Sequence, residues 1–460
     1  MFKQVSFPKW LSAAALSLSL FAAVPLVSAA AEAVPAAGEP AVIIGSSNHY
    51  PLFLQEKFGL TLAASTTKGQ FINDLALVLQ YQPTADAVTF SDVEEASPYY
   101  DAAAALSQRG ILTGSDIHPD QPLSVFQAVF IALKAADLKE LAYTYPEAKT
   151  AAALDKLHLT IDAFQSLSAA QEVAAAVDSG LVPPSLYNQL KPGTAASKTF
   201  LEELLGQVLA TKGLYEHYIG RVNDPDIYMK LIDAYNASDV IEAPELESVV
   251  NGALEQGLVT GYNLKDARYN PNFIDSLTIT YGHSDIKHAV QLTGLLRSEG
   301  LQAKVQFEPK TSAFVHLLEW GEPEPDLDNH YKKLDNGNYI ASAKEYDISF
   351  EFNSAADKER FQPIVLAYAK KDSENQSGLI AGSWWQPLYY SQTELDHYDV
   401  ITNNKIFGSG YYYAQSFSLN SQSGEIVNGF KSIAPAIDIT TSTFWVDRPF
   451  FSYLSGEDFK

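Results

Sequence analysis

The residues best suited to chemistry lie in Gly282-His283-Ser284-Asp285-Ile286-Lys287-His288. The run sits where a strand gives way to a helix, a common position for ligand-facing groups. His283, Asp285 and His288 offer nitrogen and oxygen donors to a divalent metal, and His316 from a neighbouring strand is a further donor. The spacing is not that of a zinc protease, which needs two histidines at i and i+4 flanking a glutamate. The plainer reading has Asp285 capping the helix and the histidines partly exposed, with no metal and no cofactor. A third reading is an anion site at the helix start, helped by Lys287.

Covalent catalysis finds little support. The chain has no cysteine and no G-x-S-x-G elbow. The carboxylates from Glu319 to Asp328 include candidates for an acid/base pair of glycoside cleavage. Their setting, Gly321-Glu322-Pro323-Glu324-Pro325-Asp326-Leu327-Asp328, reads more simply as a solvated loop. Aromatic pairs and triplets mark the C-terminal part: Trp384-Trp385, Tyr389-Tyr390, Tyr411-Tyr412-Tyr413 and Phe450-Phe451. On alternating strands one of each pair faces the core and its neighbour faces out. Outward rings, with Trp384 and Trp385 as binding candidates, would stack on a sugar or form a protein interface. The competing reading is a thick aromatic core.

The elements that must position these groups divide the chain. Lys3 and Lys9, the apolar run Trp10 to Leu26 and the small residues Val27 to Ala31 have the three parts of a secretory signal. Residues 1–29 are therefore expected to be a signal peptide and 30–45 a Pro/Ala spacer. Without the signal the chain carries 29 basic and 55 acidic residues, a balance of −26. Such a chain is repelled by phosphate backbones, so no nucleic-acid partner is expected. No later stretch approaches the ~20 apolar residues of a spanning helix, so no membrane span is expected after cleavage.

From 46 to 215 apolar residues recur at helical spacing, broken at Gly110, Gly114, Pro183-Pro184 and Pro192-Gly193. Residues 216–270 read as a helical connector. After Pro271 the pattern changes. Leu277 to Tyr281 alternates as a strand that Gly282 breaks, Ser284 or Asp285 caps a helix to about Ser298, and Ala303 to Phe307 is the next strand. Asp347 to Phe352 is a further strand and Ser354 to Lys370 a helix. The expectation for 271–460 is an α+β domain with helices packed on one sheet.

Within the helical half, Phe90-Ser91-Asp92-Val93 is followed by Tyr99-Tyr100, Gly110-Ile111-Leu112-Thr113-Gly114 and Pro122-Leu123-Ser124. Gly110 can end a helix in the left-handed conformation and Ser124 can cap the next. Gly180 precedes a second cap-like residue, Thr194, by fourteen positions, as Gly110 precedes Ser124. Thr66-Thr67-Lys68-Gly69-Gln70-Phe71 is a partial earlier copy. These segments resemble degenerate S-layer homology repeats. The resemblance implies a three-repeat helical prism that binds an acidic secondary polymer of the cell wall. It also implies grooves built on the arginine or lysine of a T-R-A-E helix start. On that basis Lys68, Gln70 and Asp92 are binding candidates. In the copy at Ser124 the start carries no cation, and in the copy read from Thr194 the cation Lys198 is displaced.

The fold class is thus α+β: all-α S-layer homology repeats followed by a C-terminal sheet domain. The function expected is an exported cell-surface binding or structural protein, its partner a wall polymer or other glycan. A secreted hydrolase of wall or environmental polysaccharide is the alternative.

Overall fold

A computed structural model describes residues 49–86, 88–324, 326, 328–368 and 389–457. The expected signal peptide and spacer lie outside the described residues, as do Trp384 and Trp385.

The helical part comprises α1 (Tyr50–Phe58), α2 (Lys68–Val78), α3 (Tyr100–Gln108), α4 (Val125–Ala135), α5 (Lys139–Tyr143), α6 (Glu147–Asp155), α7 (Leu167–Asp178) and α8 (Lys198–Thr211). Three of these helices start alike. The Thr67 and Ser124 hydroxyls accept the amides of Gln70 and Gln127, whose side chains accept the cap residues' own amides in return. These capping boxes satisfy two otherwise orphaned donors per helix. Ser197 likewise accepts the Phe200 amide at the start of α8.

The segments ahead of the three helices join in a cycle. Thr67 bridges Pro122, Ser124 bridges Ala195 and Ser197 bridges Ser65. Each cap residue thus pairs with the residue two places before the next cap. Amide bonds from Lys68 to the Gln121 carbonyl and from Val125 to the Thr194 carbonyl repeat the same register. Gly110 and Gly180 take positive φ after α3 and α7, as the helix-ending role requires.

Thr194 is not the third cap. Its carbonyl belongs to the bridging segment, and the helix starts three residues later, at Ser197. A 3-10 turn at Pro184–Gln189 lengthens this loop, so the fourteen-residue spacing does not carry over.

The strands form β1 (Gly220–Arg221), β2 (Gly261–Asp266), β3 (Thr278–His283), β4 (Ala303–His316), β5 (Asn329–Lys333), β6 (Tyr339–Phe352), β7 (Tyr389–Ser391), β8 (Asp399–Phe407), β9 (Tyr412–Ser418) and β10 (Asp438–Val446). Among the described residues, β4-β2-β9-β8-β10-β7-β3-β6 run antiparallel, and β6 pairs back onto β4 over Ala303–His316 to close an eight-stranded barrel. The part is α+β as expected, and its one sheet is closed into a barrel. Gly282 does not break β3, which continues through it to His283. Residues 216–270, expected as a helical connector, supply β1 and β2 as well as α9 (Ile227–Asn236) and α10 (Pro244–Glu255).

The barrel is apolar outside and polar inside. On β6, Tyr346, Ile348, Phe350 and Phe352 point outward into a core with α9, α11 (Ile286–Ser298) and α12 (Ala355–Tyr368). Leu264, Ala313 and Ile406 meet α10 and α13 (Ser423–Ile433) on another side. Asp285 caps α11 through the Lys287 amide and Ser354 caps α12 through the Asp357 amide.

Among the described aromatic groups, each has at least one ring in the core, while Tyr411 is exposed. Tyr389 and Tyr390 are both buried, because a closed barrel has a filled lumen on one side and helices on the other. Phe450-Phe451 is not on a strand. It lies in α14 (Arg448–Ser455), whose Phe450 packs with Phe417, Phe444 and Ile401 to plug one end of the lumen.

The helical core extends into the barrel's approach, taking in Ile274 and Leu277 just before β3. Within the helical part, Gly206 of α8 lies against the Tyr50 ring of α1, where an added Cβ would come within 2.1 Å of ring carbon. Gly206→Ala should therefore cost about 1–3 kcal/mol, the range for overpacking a core. It should lower the midpoint of the thermal melt followed by circular dichroism at 222 nm; an unchanged midpoint would contradict this packing of α1 on α8.

Candidate functional site

The lumen is built by the inward residues of alternating strands. On β6 the sequence Glu345-Tyr346-Asp347-Ile348-Ser349-Phe350-Glu351 sends every second, polar, residue inside. Asp347 holds two lysines, Lys310 at 2.7 Å and Lys265 at 2.9 Å, and Tyr390 donates to it at 2.9 Å. Lys265 also meets Glu308 at 3.1 Å, and Lys310 meets Glu345 at 3.8 Å. Burial alone would raise the Asp347 carboxyl, but Lys265 and Lys310 together hold it far below the usual carboxylate range. Burial pushes Glu308 upward against the pull of Lys265. Nearer the helical part, Lys304 bonds Glu216 and, at 2.7 Å, Glu351.

Above this network lies a cavity of about 130 Å³. Its walls include Lys265, Glu308, Asn403, Lys405, Tyr413 and Gln415 from the lumen, and Pro271, Phe273 and Asp275 from the approach to β3. Lys57 of α1 closes one side and bonds Asp275 at 2.9 Å, while Glu56 binds Ser276. The cavity therefore opens where barrel and helical part meet. Lys358 of α12 braces the same segment, donating to the Asp275 carbonyl, Ser391 and Thr393.

The sequence candidates separate. His283 is buried, and its Nδ1 accepts the Asp285 amide at 2.9 Å. Burial, then the neighbouring His288, pushes the imidazole down to about 3, so it is neutral. Asp285 spends its carboxylate on the helix cap and on Lys287 at 3.1 Å. His316 is remote. It and His283 pair with Tyr339 and Tyr346 of β6, seven residues apart or about 24 Å along a strand. Among the described residues no cluster of three or more His, Asp or Glu side chains is arranged to hold a metal. The acids of the 319–328 loop are exposed where described, and Asp326 accepts from Asn329.

At the repeats, Gln70 is engaged in the capping box. Asp92 accepts the amides of Ile117, 2.8 Å, and His118, 2.6 Å. Burial favours the neutral acid there, but these amides and the His118 ring outweigh it and hold Asp92 below the usual carboxylate range. Lys68 is half-buried at the first position of α2. Burial lowers its pKa against the opposing charge of Asp92, which lies nearby. Gly69 beside it has no room for a Cβ, which would fall 2.8 Å from Pro119 and 2.9 Å from the Tyr99 ring. Lys198, expected to be displaced, follows the Ser197 cap as Lys68 follows Thr67, and pairs with Glu202 at 3.7 Å. The signal for it was the Ser-Lys pair itself. The corresponding residue after Ser124 is Val125, which is buried.

The S-layer homology domain profile matches residues 89–124. The chain is an S-layer homology domain-containing protein, carrying a module of cell-wall and cell-surface association. No curated protein and no solved structure matches it. Among the described residues no helix is long and apolar enough to cross a membrane.

Asp347→Asn leaves two buried lysines facing a neutral amide and should destabilise by about 3–5 kcal/mol, as removal of one partner from a buried pair does. Urea unfolding gives the comparison, and a loss under 1 kcal/mol would contradict the pairing.

Lys358 supplies a pH test. Burial pushes its ammonium down to about 8, with Glu56 and Asp275 pulling it back. The folded value lies below the unfolded one, ~10.4. The contribution is thus present above pH ~10.4 and lost as pH falls to about 8. The difference in melting temperature, wild type minus Lys358→Met, should rise between pH 8 and 10; a flat difference contradicts the assignment.

Proposed function

We propose that this chain is an exported cell-surface protein held on the wall by a prism of three S-layer homology repeats, with the barrel as a binding body beside them. On this reading residues 46–215 are the repeats, and residues 216–460 build the barrel and its helices. The signal-like residues 1–29 support export. The cyclic bridging of the cap segments at Thr67, Ser124 and Ser197 carries the prism reading, because only equivalent repeats reproduce one register three times.

The wall ligand is an acidic polymer. Lys68, near Asp92 and next to Gly69, which packs on Tyr99 and Pro119, marks one contact, and Lys198 marks a second. Val125 leaves the remaining start without a cation, so two contacts of unequal setting do the work. A chain with a formal charge of −24 repels anions at long range. Attachment then depends on short-range, charge-assisted bonds at these lysines.

Lys68→Ala and Lys198→Ala should each weaken co-sedimentation with purified cell walls about tenfold, the loss of one charged hydrogen bond. The double variant should stay in the supernatant. Lys149→Ala, on an exposed part of α6, should pellet like wild type. Full pelleting of the double variant would remove the lysines from the wall contact, and a wild type that never pellets would reduce the repeats to scaffold.

A further inference from the structure

We propose that the cavity at the barrel mouth binds a small hydroxylated carboxylate, a sugar acid of the uronate type, through Lys405, Asn403 and Gln415. The proposal deepens the binding role given to the barrel and rests on it.

Three observations converge on the same wall. Lys405 is half-buried, lies 3.9 Å over the Tyr413 ring and 5.1 Å over Phe407, and has no carboxylate partner among the described residues. The other two lysines lining the cavity are matched, Lys57 by Asp275 and Lys265 by Asp347 and Glu308. Asn403 and Gln415 are 97% and 94% buried, and each has an amide oxygen with no hydrogen-bond partner. Asn403 lies two residues from Lys405 on β8, and Gln415 lies directly across from it on β9, so all three share the inward face.

A half-buried ammonium and two buried, unsatisfied acceptors are each costly when left alone. One ligand answers all three. Its carboxylate meets Lys405, and its hydroxyls donate to the two amide oxygens. A simple carboxylate lacks the donors, and a neutral sugar lacks the charge. A phosphate dianion calls for more than the one uncommitted cation found here. Tyr413 and Phe444 line the cavity as well. The cavity, about 130 Å³, is open to solvent on one side, so a ligand need enter only in part.

The test is calorimetric titration of the mature protein with glucuronate, a glucuronate trisaccharide, glucose and acetate. Glucuronate or the trisaccharide should bind at least tenfold more tightly than glucose or acetate. Binding of the trisaccharide alone assigns the ligand to a polysaccharide end, and equal binding of both assigns it to a free sugar acid. Lys405→Met should weaken binding at least tenfold with little change in the melting temperature, since it removes a cation that has no ion-pair partner and keeps an apolar chain against Tyr413 and Phe407. Gln415→Met, a second variant of similar volume, should weaken it about fivefold.

A wild type that binds neither uronate, equal binding of glucose, or unchanged affinity in both variants would overturn the proposal. Wall co-sedimentation of the same samples separates the two readings. A protein that pellets yet binds no uronate loses this ligand and keeps its anchoring. One that binds uronate yet never pellets loses the anchoring alone.

Discussion

Asp347 between Lys265 and Lys310 is the contact on which the C-terminal half depends. It ties β6 to β2 and β4 from the inside of a barrel whose closure is the long pairing of β4 with β6. Closure removes the sheet's unpaired edges, but it leaves a lumen that side chains must fill. Here the filling is charged, and charges out of water are tolerable only when matched and hydrogen-bonded. The match also fixes register. A slip of one residue in β6 would turn Asp347 out beneath the helices and bring Ile348 in against two lysines.

That inversion of the usual pattern explains the helices. Because the polar faces of β2, β4 and β6 look inward, their apolar faces look outward and need cover. α9, α11 and α12 cover one side, α10 and α13 another, and α14 closes an end with Phe450. The segment from Asp275 to Leu277 then joins this shell to the repeats, with Leu277 in the helical core and Asp275 bonded to Lys57. The mouth of the lumen is thus framed by both halves of the chain. It is also where the strict pairing of charges stops, at Lys405.

Much of this was legible as elements and little as architecture. The alternation from Glu345 to Phe352 marks a strand plainly, and the strand is there. Alternation alone does not say which face is wet, and here the polar face looks into the lumen. Barrel closure rests on pairing between β4 and β6, which no local signal encodes. Phe450-Phe451 looked like strand residues because aromatics favour strands; Pro449 and the plugging role make them helical. Around the site, Asp285 was correctly read as a cap, whereas Lys405, Asn403 and Gln415 drew no notice. Each is unremarkable in sequence, and only the β8–β9 register sets them side by side.

At the helix starts of the helical part, the groups that hold the fold and the cations proposed to meet the wall sit on different atoms. The cycle of cap segments needs a hydroxyl at the cap, a backbone bridge and, at two of the three helix starts, a glutamine at the third helical position. None of these is the cation. The residue after the cap can therefore change without breaking the cycle, and at Val125 it has turned inward and joined the core. Lys68 and Lys198 retain the charge on the same backbone frame. Sequence spacing follows loops, which stretch, as between Gly180 and Ser197; the bridges follow the backbone, which does not. The equivalence of Lys198 with Lys68 emerges from the bridges for that reason, and it shows how a repeat can drift in sequence while its helix start stays in place.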